Sequence, residues 1–179
     1  MIEKVNPSHP DKVADRIAGA IVDLTYEAAD HERPCVAVEV LIGHGSVYII
    51  SETTAPLDKR QIEHIVKRIA GDLDVTYKEV PQDPELSKNQ DGKIRAGDNG
   101  IFKGMPVRKD IAELSEIASS LYSQFPSDGK YILAGNRLIV CQSQATNQAI
   151  QTHIDKLGKY DTVINPLGEW TGGLDADTG

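Results

Sequence analysis

The chain has 179 residues, of which 40% are hydrophobic and 26% charged, and a formal net charge of -8. These values are typical of a soluble globular protein that can bury one good core or two small ones. The acidic balance, without any run of Lys or Arg, argues against nucleic acid or an anionic membrane as the main partner. No apolar segment has the length of a signal peptide core or a membrane span, so we expect a cytoplasmic protein.

The first predicted helix begins within the segment NPSHPDKVADRI. Ser8 is suited to the N-cap and Pro10 to the first turn, and apolar residues then recur at helical spacing. Three chemically useful side chains would lie at this N-terminus: His9, Asp11 and Lys12. The free N–H groups of a helix N-terminus favour an anion such as phosphate. The alternative is a capped surface helix with ordinary charges in its first turn.

A β-hairpin, a second helix and a strand are predicted next. Apolar runs at 34–42 and 46–51 flank a Gly-His-Gly turn, and isoleucines recur at helical spacing within 57–73. Residues 75–80 have the composition of a strand. Residues 81–100 are rich in Pro, Gly, Asp and Asn, which predicts a long loop of a kind that is commonly functional.

The same order of elements is repeated in the second half of the chain. The predicted helix, hairpin, helix and strand lie at 110–122, 130–142, 146–157 and 162–165. A strand could precede the first helix of each half, as IEKV in one and IFKGMPV in the other. The repeat is one of pattern and not of residue identity.

These patterns predict an α+β protein of two β-α-β-β-α-β units, each with a four-stranded antiparallel sheet under two helices. We expect the first unit over residues 1–100 and the second over residues 101–165. Residues 166–179 are polar and glycine-rich, and they stand where a third unit would begin. Cys35 and Cys141 are expected to be buried free thiols, because neither has a CxxC or a His at ligand spacing.

Eight ordered motifs resemble those of the S-adenosylmethionine synthetases, also called methionine adenosyltransferases. They are His9-Pro10-Asp11-Lys12, Glu39 in the first hairpin strand, Glu52 in SETT, Gln82 in QDPEL, AGDNG around Asp98, DGK at 128–130, INPLGEW and GGLDADTG. The family's pseudo-threefold fold of β-α-β-β-α-β units agrees with the repeat. The resemblance implies transfer of the adenosyl group of ATP to methionine, followed by hydrolysis of the triphosphate to pyrophosphate and phosphate.

The resemblance also implies roles for individual residues. The implied catalytic residues are His9, Lys12 and Lys130. The implied ATP-binding residues are His9, Lys12, Asp128, Gly129, Lys130, Trp170 and Asp177, and the implied methionine-binding residues are Glu52, Gln82, Asp98 and Asp177. Asp11 would bind Mg²⁺ and Glu39 would bind K⁺. A homodimer with its site at the subunit interface is implied as well.

Several of these residues have plain structural alternatives. Glu39 lies inside the apolar run VAVEVLI, where a buried carboxylate needs a partner or a metal, unless its side of the strand faces solvent. Asp98 could form an Asx turn without a ligand, and Asp128 with Gly129 could be only a turn. Trp170, the single tryptophan, is favoured as a stacking surface over a core residue.

The sequence departs from the family pattern in several places. Pro7-Ser8 stands where Glu-Gly is usual before the first motif, Glu169 where Arg is common, and Leu174 where Pro is usual. Relatives continue beyond the equivalent of Gly179 into a third unit with further phosphate-binding lysines. The second hypothesis is therefore a non-catalytic module that binds ATP or methionine, or a regulatory partner of a full-length synthetase.

Overall fold

The computed structural model describes residues 1–29, 34–85 and 108–168. Within these ranges the helices are α1 (Pro10–Ala28), α2 (Lys59–Ala70), α3 (Lys109–Gln124) and α4 (Asn147–Ile154). The strands are β1 (Ile2–Val5), β2 (Val36–Gly43), β3 (Ser46–Thr53), β4 (Asp74–Val80), β5 (Gly129–Ala134), β6 (Arg137–Gln142) and β7 (Asp161–Ile164). The predicted α+β class is confirmed, and each half has the predicted order of helix, hairpin, helix and strand.

The chain folds into two compact units, each with its own sheet and core. The three-stranded unit comprises Pro7–Arg108, and its sheet has the order β2-β3-β4. The four-stranded unit comprises Met1–Asn6 and Lys109–Gly179, and its sheet has the order β1-β5-β6-β7.

Both sheets are mixed, so the expectation of antiparallel sheets was wrong. The hairpins β2-β3 and β5-β6 are antiparallel, whereas β3-β4 and β6-β7 are parallel. A helix connects the two strands of each parallel pair, and such a crossover returns the chain to the end of the sheet at which the preceding strand began. The patterns predicted the strands correctly but not the direction of the last one.

Strand β1 pairs with β5, so the expectation that it completes the first repeat was also wrong. Ile2 lies opposite Leu133 and Val5 lies opposite Lys130 in an antiparallel register. The other predicted leading strand, IFKGMPV, lies outside the described residues. Within the described ranges, the three-stranded unit therefore has no strand before α1.

The core of the three-stranded unit lies between its sheet and the helices α1 and α2. Its buried side chains are Ile17, Ile21, Val47, Ile49, Ile62, Ile65 and Val66. The isoleucines of α1 and α2 lie at helical spacing, whereas Val47 and Ile49 alternate along β3. The two helices thus cover one face of the sheet, and the core lies between the helices and that face.

The opposite face of this sheet is called the outer face. Alternation and register place there, besides Ser46 and Asp74 at one end, the side chains of Ala37, Glu39, Leu41, Tyr48, Ile50, Glu52, Thr76, Lys78 and Val80. Three of them are large apolar residues with high exposure, namely Leu41 at 69%, Tyr48 at 53% and Ile50 at 49%. Adjacent exposed apolar side chains of this size are characteristic of interaction surfaces.

The four-stranded unit buries its core between its sheet and the helices α3 and α4. The buried residues include Leu114, Leu121, Tyr131, Leu133, Leu138, Val140, Ile150 and Ile154. None of the helices in the described ranges is both long and apolar enough to cross a membrane.

Candidate functional site

His9 is the N-cap of α1, so the expectation that Ser8 fills this position was wrong. Its backbone is extended, and its Nδ1 accepts a hydrogen bond from the N–H of Asp11 at 3.2 Å. Its carbonyl oxygen accepts from the N–H of Lys12 at 2.9 Å and from that of Val13 at 3.1 Å. Helical geometry begins at Pro10, as expected, and the residue just before the first helical residue is the cap.

The first turn of α1 brings the three predicted site residues of this motif together. The His9 side chain is only 16% exposed, whereas that of Asp11 is 80% exposed, and Asp11 Oδ2 lies 3.7 Å from His9 Nδ1. Lys12 Nζ lies 3.0 Å from Asp15 Oδ2. The turn thus presents an accessible carboxylate and a half-exposed ammonium at the positive end of a helix dipole.

Glu39 is exposed on the outer face, so the expectation of a buried carboxylate was wrong. Alternation along β2 directs Val38 and Val40 toward the core and Glu39 away from it. Glu39 pairs with Ile50, and Glu52 is two residues further along β3. The two carboxylates are therefore diagonal neighbours on one face of the sheet.

Glu52 lies beside the segment that contains Gln82, although the two residues are far apart along the chain. The carboxylate of Glu52 accepts a hydrogen bond from the N–H of Asp83 at 2.7 Å. The adjacent side chain, that of Gln82, has both Nε2 and Oε1 buried without a hydrogen-bond partner among the described residues. A buried amide with no partner is destabilising, so a polar group of a bound ligand would stabilise this part of the structure by pairing with it.

In the four-stranded unit, the DGK motif lies at the beginning of β5. Lys130 Nζ pairs with Glu3 Oε1 at 3.1 Å. The carbonyl of Asp128 accepts from the N–H and the hydroxyl of Ser143, each at 2.9 Å. Gly129 is not among the residues with positive φ, so no left-handed turn requires a glycine there. What requires it is close approach, because an added Cβ would lie 2.6 Å from Gln142 Oε1.

A buried polar cluster beside Gly129 contains residues that the motifs did not indicate. Tyr131 is 0%, Asn6 1% and Gln142 4% exposed. Burial raises the pKa of Tyr131, and the carboxylate of Asp128 raises it further, against the hydrogen bond from Asn6. Alternation is the signal that could have found Gln142, since it continues the inward series of Leu138 and Val140.

Three predicted site residues lie outside the described residues: Asp98, Trp170 and Asp177. Within the described ranges, no three side chains of His, Cys, Asp or Glu converge as a metal centre would require. Cys35 and Cys141 are free thiols, but Cys141 is exposed and Cys35 is half-buried, so their expected burial was wrong.

The fold and these motifs are similar to those of known proteins. Residues 1–89 match the family described as the N-terminal domain of S-adenosylmethionine synthetase. The S-adenosylmethionine synthase of Wolinella succinogenes is 32% identical over 123 residues, which are 60% of this chain and 31% of that protein. The enzyme of that name from a Sulfurovum species is 33% identical over 135 residues, which are 66% of this chain and 34% of that protein. The chain thus matches about a third of the length of these relatives.

A solved structure has a similar fold. It is described as an unusual S-adenosylmethionine synthetase from Campylobacter jejuni, and the match has a TM-score of 0.59 at 19% identity. It covers 96% of this chain and 59% of the other. Repeated helix-hairpin-helix-strand units over mixed sheets therefore place the chain in the fold class of these synthetases. Its residues 1–89 belong to the family of S-adenosylmethionine synthetase N-terminal domains, and the chain is a relative of these enzymes.

Proposed function

We propose that this chain binds ATP and methionine and transfers the adenosyl group of ATP to the methionine sulfur. The observation that carries this proposal is the corner formed by Glu52 and Gln82. The carboxylate of Glu52 and the nearby amide of Gln82, whose two polar atoms have no partner among the described residues, suit the ammonium and carboxylate groups of an amino acid. Both residues match the methionine-binding positions of the family.

The reaction would form a bond from the thioether sulfur to C5′ of the ribose while the bond from C5′ to the triphosphate oxygen breaks. The electron pair of that bond leaves with the triphosphate, and the sulfur becomes a sulfonium. No proton has to move in this step, so positioning and charge neutralisation are the main needs. Lys12 would neutralise charge on the departing phosphate chain, and Lys130 matches a second ATP-binding lysine of the family.

His9 would assist at the leaving oxygen through a defined tautomer. Because its Nδ1 accepts a hydrogen bond from the helix, a neutral ring carries its proton on Nε2. Nε2 is then a donor that can reach an anionic oxygen beyond the N-terminus of α1. The distance of 3.7 Å from Nδ1 to the carboxylate of Asp11 is too long for a hydrogen bond, which leaves that carboxylate available.

Two cations would take part in binding. Asp11 has an accessible carboxylate, and Mg²⁺ in phosphate-binding sites is commonly held by one or two carboxylates and by the phosphates themselves. Glu39, which is exposed on the outer face, would bind K⁺ there. The chemistry that Mg²⁺ supplies when bound is neutralisation of the phosphate charge.

We further propose a homodimer that joins two copies at the outer face. Exposed Leu41, Tyr48 and Ile50 supply the apolar centre of such a contact. Register places Glu39 and Lys78 in one row on either side of Ile50. If two copies pack face to face about a two-fold axis that runs between the faces parallel to β3, Ile50 of each copy lies opposite Ile50 of the other. Because Glu52 lies on the outer face, the second copy would also enclose the proposed methionine-binding position at Glu52 and Gln82.

The test is an incubation of the purified chain with ATP, methionine, Mg²⁺ and K⁺, with detection of S-adenosylmethionine and tripolyphosphate by mass spectrometry. Lys12→Ala should abolish the product, whereas Lys67→Ala, which removes an exposed lysine of α2, should not. Absence of product together with a higher melting temperature in ATP or methionine would favour the non-catalytic binding module. No product and no thermal shift would contradict both hypotheses.

A further inference from the structure

Asn6, Tyr131 and Gln142 form a closed hydrogen-bond network inside the four-stranded unit. The hydroxyl of Tyr131 donates to Gln142 Oε1 at 2.6 Å and accepts from Asn6 Nδ2 at 3.0 Å. Asn6 Nδ2 also donates to the carbonyl oxygen of Ser127 at 2.7 Å. Each of the three side chains is at least 96% buried, so the network is held away from solvent. A buried network whose members satisfy one another specifies a single arrangement.

The amide nitrogen of Gln142 is surrounded by acceptors of the segment that precedes β5. It lies 2.9 Å from Ser127 Oγ, 3.1 Å from the carbonyl oxygen of Ser127 and 3.2 Å from that of Asp128. The hydroxyl of Ser127 in turn donates to the carbonyl of Ser143 at 2.7 Å. One side chain from the end of β6 therefore holds the main chain of residues 127 and 128.

Main-chain hydrogen bonds hold the next residues of the same segment. The N–H of Ser143 donates to the carbonyl of Asp128 at 2.9 Å, and the N–H of Asn6 donates to the carbonyl of Gly129 at 3.0 Å. The Cα of Gly129 packs against the network, where an added Cβ would collide with Tyr131 Oη and lie 2.6 Å from Asn6 Nδ2. The segment is thus fixed from both sides immediately before Lys130.

We infer that Asn6, Tyr131 and Gln142 are positioning residues, which fix the main chain at Asp128 and Gly129 so that Lys130 is directed toward the phosphate chain of its ligand. This inference rests on the proposed function for the role of Lys130 and adds to it the residues that hold that lysine. None of the three touches the ligand, because all are buried behind the strand. Lys130 itself projects from the other face of β5, where it pairs with Glu3.

The test uses Tyr131→Phe, which removes one hydroxyl and keeps the ring in the core. The matched control is Ser120→Ala, which removes the hydrogen bond between Ser120 Oγ and His153 Nε2 (2.8 Å) in the same unit but outside the network. Tyr131→Phe loses two buried hydrogen bonds and Ser120→Ala loses one that is partly buried, so both should lower the melting temperature. A general loss of stability would therefore speed hydrogen exchange in both variants, whereas loss of the network would speed it at this segment in Tyr131→Phe alone.

The first measurement needs no ligand. Amide hydrogen exchange at Asn6 and Ser143 reports opening of the segment, because these N–H groups donate to Gly129 and Asp128. We expect Tyr131→Phe to speed this exchange about fivefold or more, and Ser120→Ala to leave it within about twofold. Equal exchange rates in the wild type and Tyr131→Phe would overturn the inference.

The second measurement is the affinity of each form for inorganic tripolyphosphate with Mg²⁺, by titration calorimetry well below the melting temperatures. We expect about five- to tenfold weaker binding for Tyr131→Phe and unchanged binding for Ser120→Ala. Faster exchange with unchanged affinity would overturn the link from the network to the ligand. If the wild type does not bind tripolyphosphate at all, the proposed function fails, and the exchange result alone decides whether the network fixes the segment.

Discussion

The carboxylate of Glu52 accepts a hydrogen bond from the main-chain N–H of Asp83 at 2.7 Å. This contact places the segment after β4 beside the end of β3 and brings the main chain next to Gln82 to the carboxylate of Glu52. The buried amide of Gln82 lacks a partner within the described ranges. The unpartnered amide therefore lowers the stability of the unliganded protein, which is characteristic of a binding position.

Gln82→Leu should have opposite effects on stability and binding. Replacement of a buried amide without partners by an apolar side chain removes a desolvation penalty, so we expect the unliganded protein to gain about 1 kcal/mol. The same change should remove most of the thermal shift caused by methionine. Scanning calorimetry with and without methionine measures both effects. Gln61→Leu on the exposed side of α2 is the control and should leave the methionine shift intact. A lower stability of unliganded Gln82→Leu would contradict the absence of a partner.

Two glycine-to-alanine substitutions should change stability in opposite directions. An alanine Cβ at Gly129 would meet three buried polar atoms, so Gly129→Ala should lose about 1–3 kcal/mol. Gly19 lies within α1 and has open space around its Cα, so Gly19→Ala should gain about 0.5–1 kcal/mol. Urea unfolding of the two variants and the wild type measures both changes. If Gly129→Ala left the free energy of unfolding unchanged, the network beside it would have to rearrange at little energetic cost.

The stability should decline at alkaline pH in a way that depends on Tyr131. Burial raises the pKa of its hydroxyl above the ordinary value of 10.0, so the unfolded chain loses this proton at a lower pH than the folded chain does. The stabilisation from neutral Tyr131 is therefore complete below pH 10 and is lost as the pH rises through the folded pKa.

Urea unfolding across this pH range, together with the ultraviolet absorbance of tyrosinate, measures the effect. Tyr131→Phe should show a shallower loss of stability above pH 10 than the wild type. Some loss should remain in this variant, because burial also raises the pKa of Tyr77 and Tyr160. Identical slopes for the two proteins would contradict the burial of Tyr131 as the cause.

Ile50→Lys should convert the proposed dimer into a monomer. The substitution places a charge at the apolar centre of the outer face, where it would lie close to its own copy across the two-fold axis. Size-exclusion chromatography with light scattering measures the mass of each form. Leu157→Lys, at an exposed leucine of the four-stranded unit, is the control and should keep the wild-type mass. A dimer that persists in Ile50→Lys would exclude the outer face as the interface.

Local sequence patterns were enough to predict most of the secondary structure. The isoleucines of α2 and the alternating apolar residues of β3 each lie within one segment. The helical and strand periods of these residues are enough to predict which face of each element is buried. The motifs also predicted that Glu52 and Gln82 serve one site, and the structure places Glu52 against Asp83, the residue after Gln82. Their role in binding methionine stays a prediction.

What depends on distant parts of the chain could not be predicted in this way. Strand β1 is only four residues long, and nothing in IEKV identifies β5 as its partner more than a hundred residues later. The side of the sheet on which Glu39 lies depends on which face α1 and α2 cover. A lone polar residue such as Asn6 carries no period, so its part in a buried network becomes visible only when its partners are in place.

The sequence by itself therefore determined the elements, their repeated order and the family, because helical and strand periods and ordered motifs are properties of local segments. Only the tertiary structure decided which strands pair, which carboxylates face solvent, and why Gly129 has to be a glycine. These features depend on contacts between residues far apart in the chain, where side chains compete for space and for hydrogen-bond partners. The requirement for glycine at 129 comes from three buried polar atoms, two of them within β5 and β6 and one from Asn6.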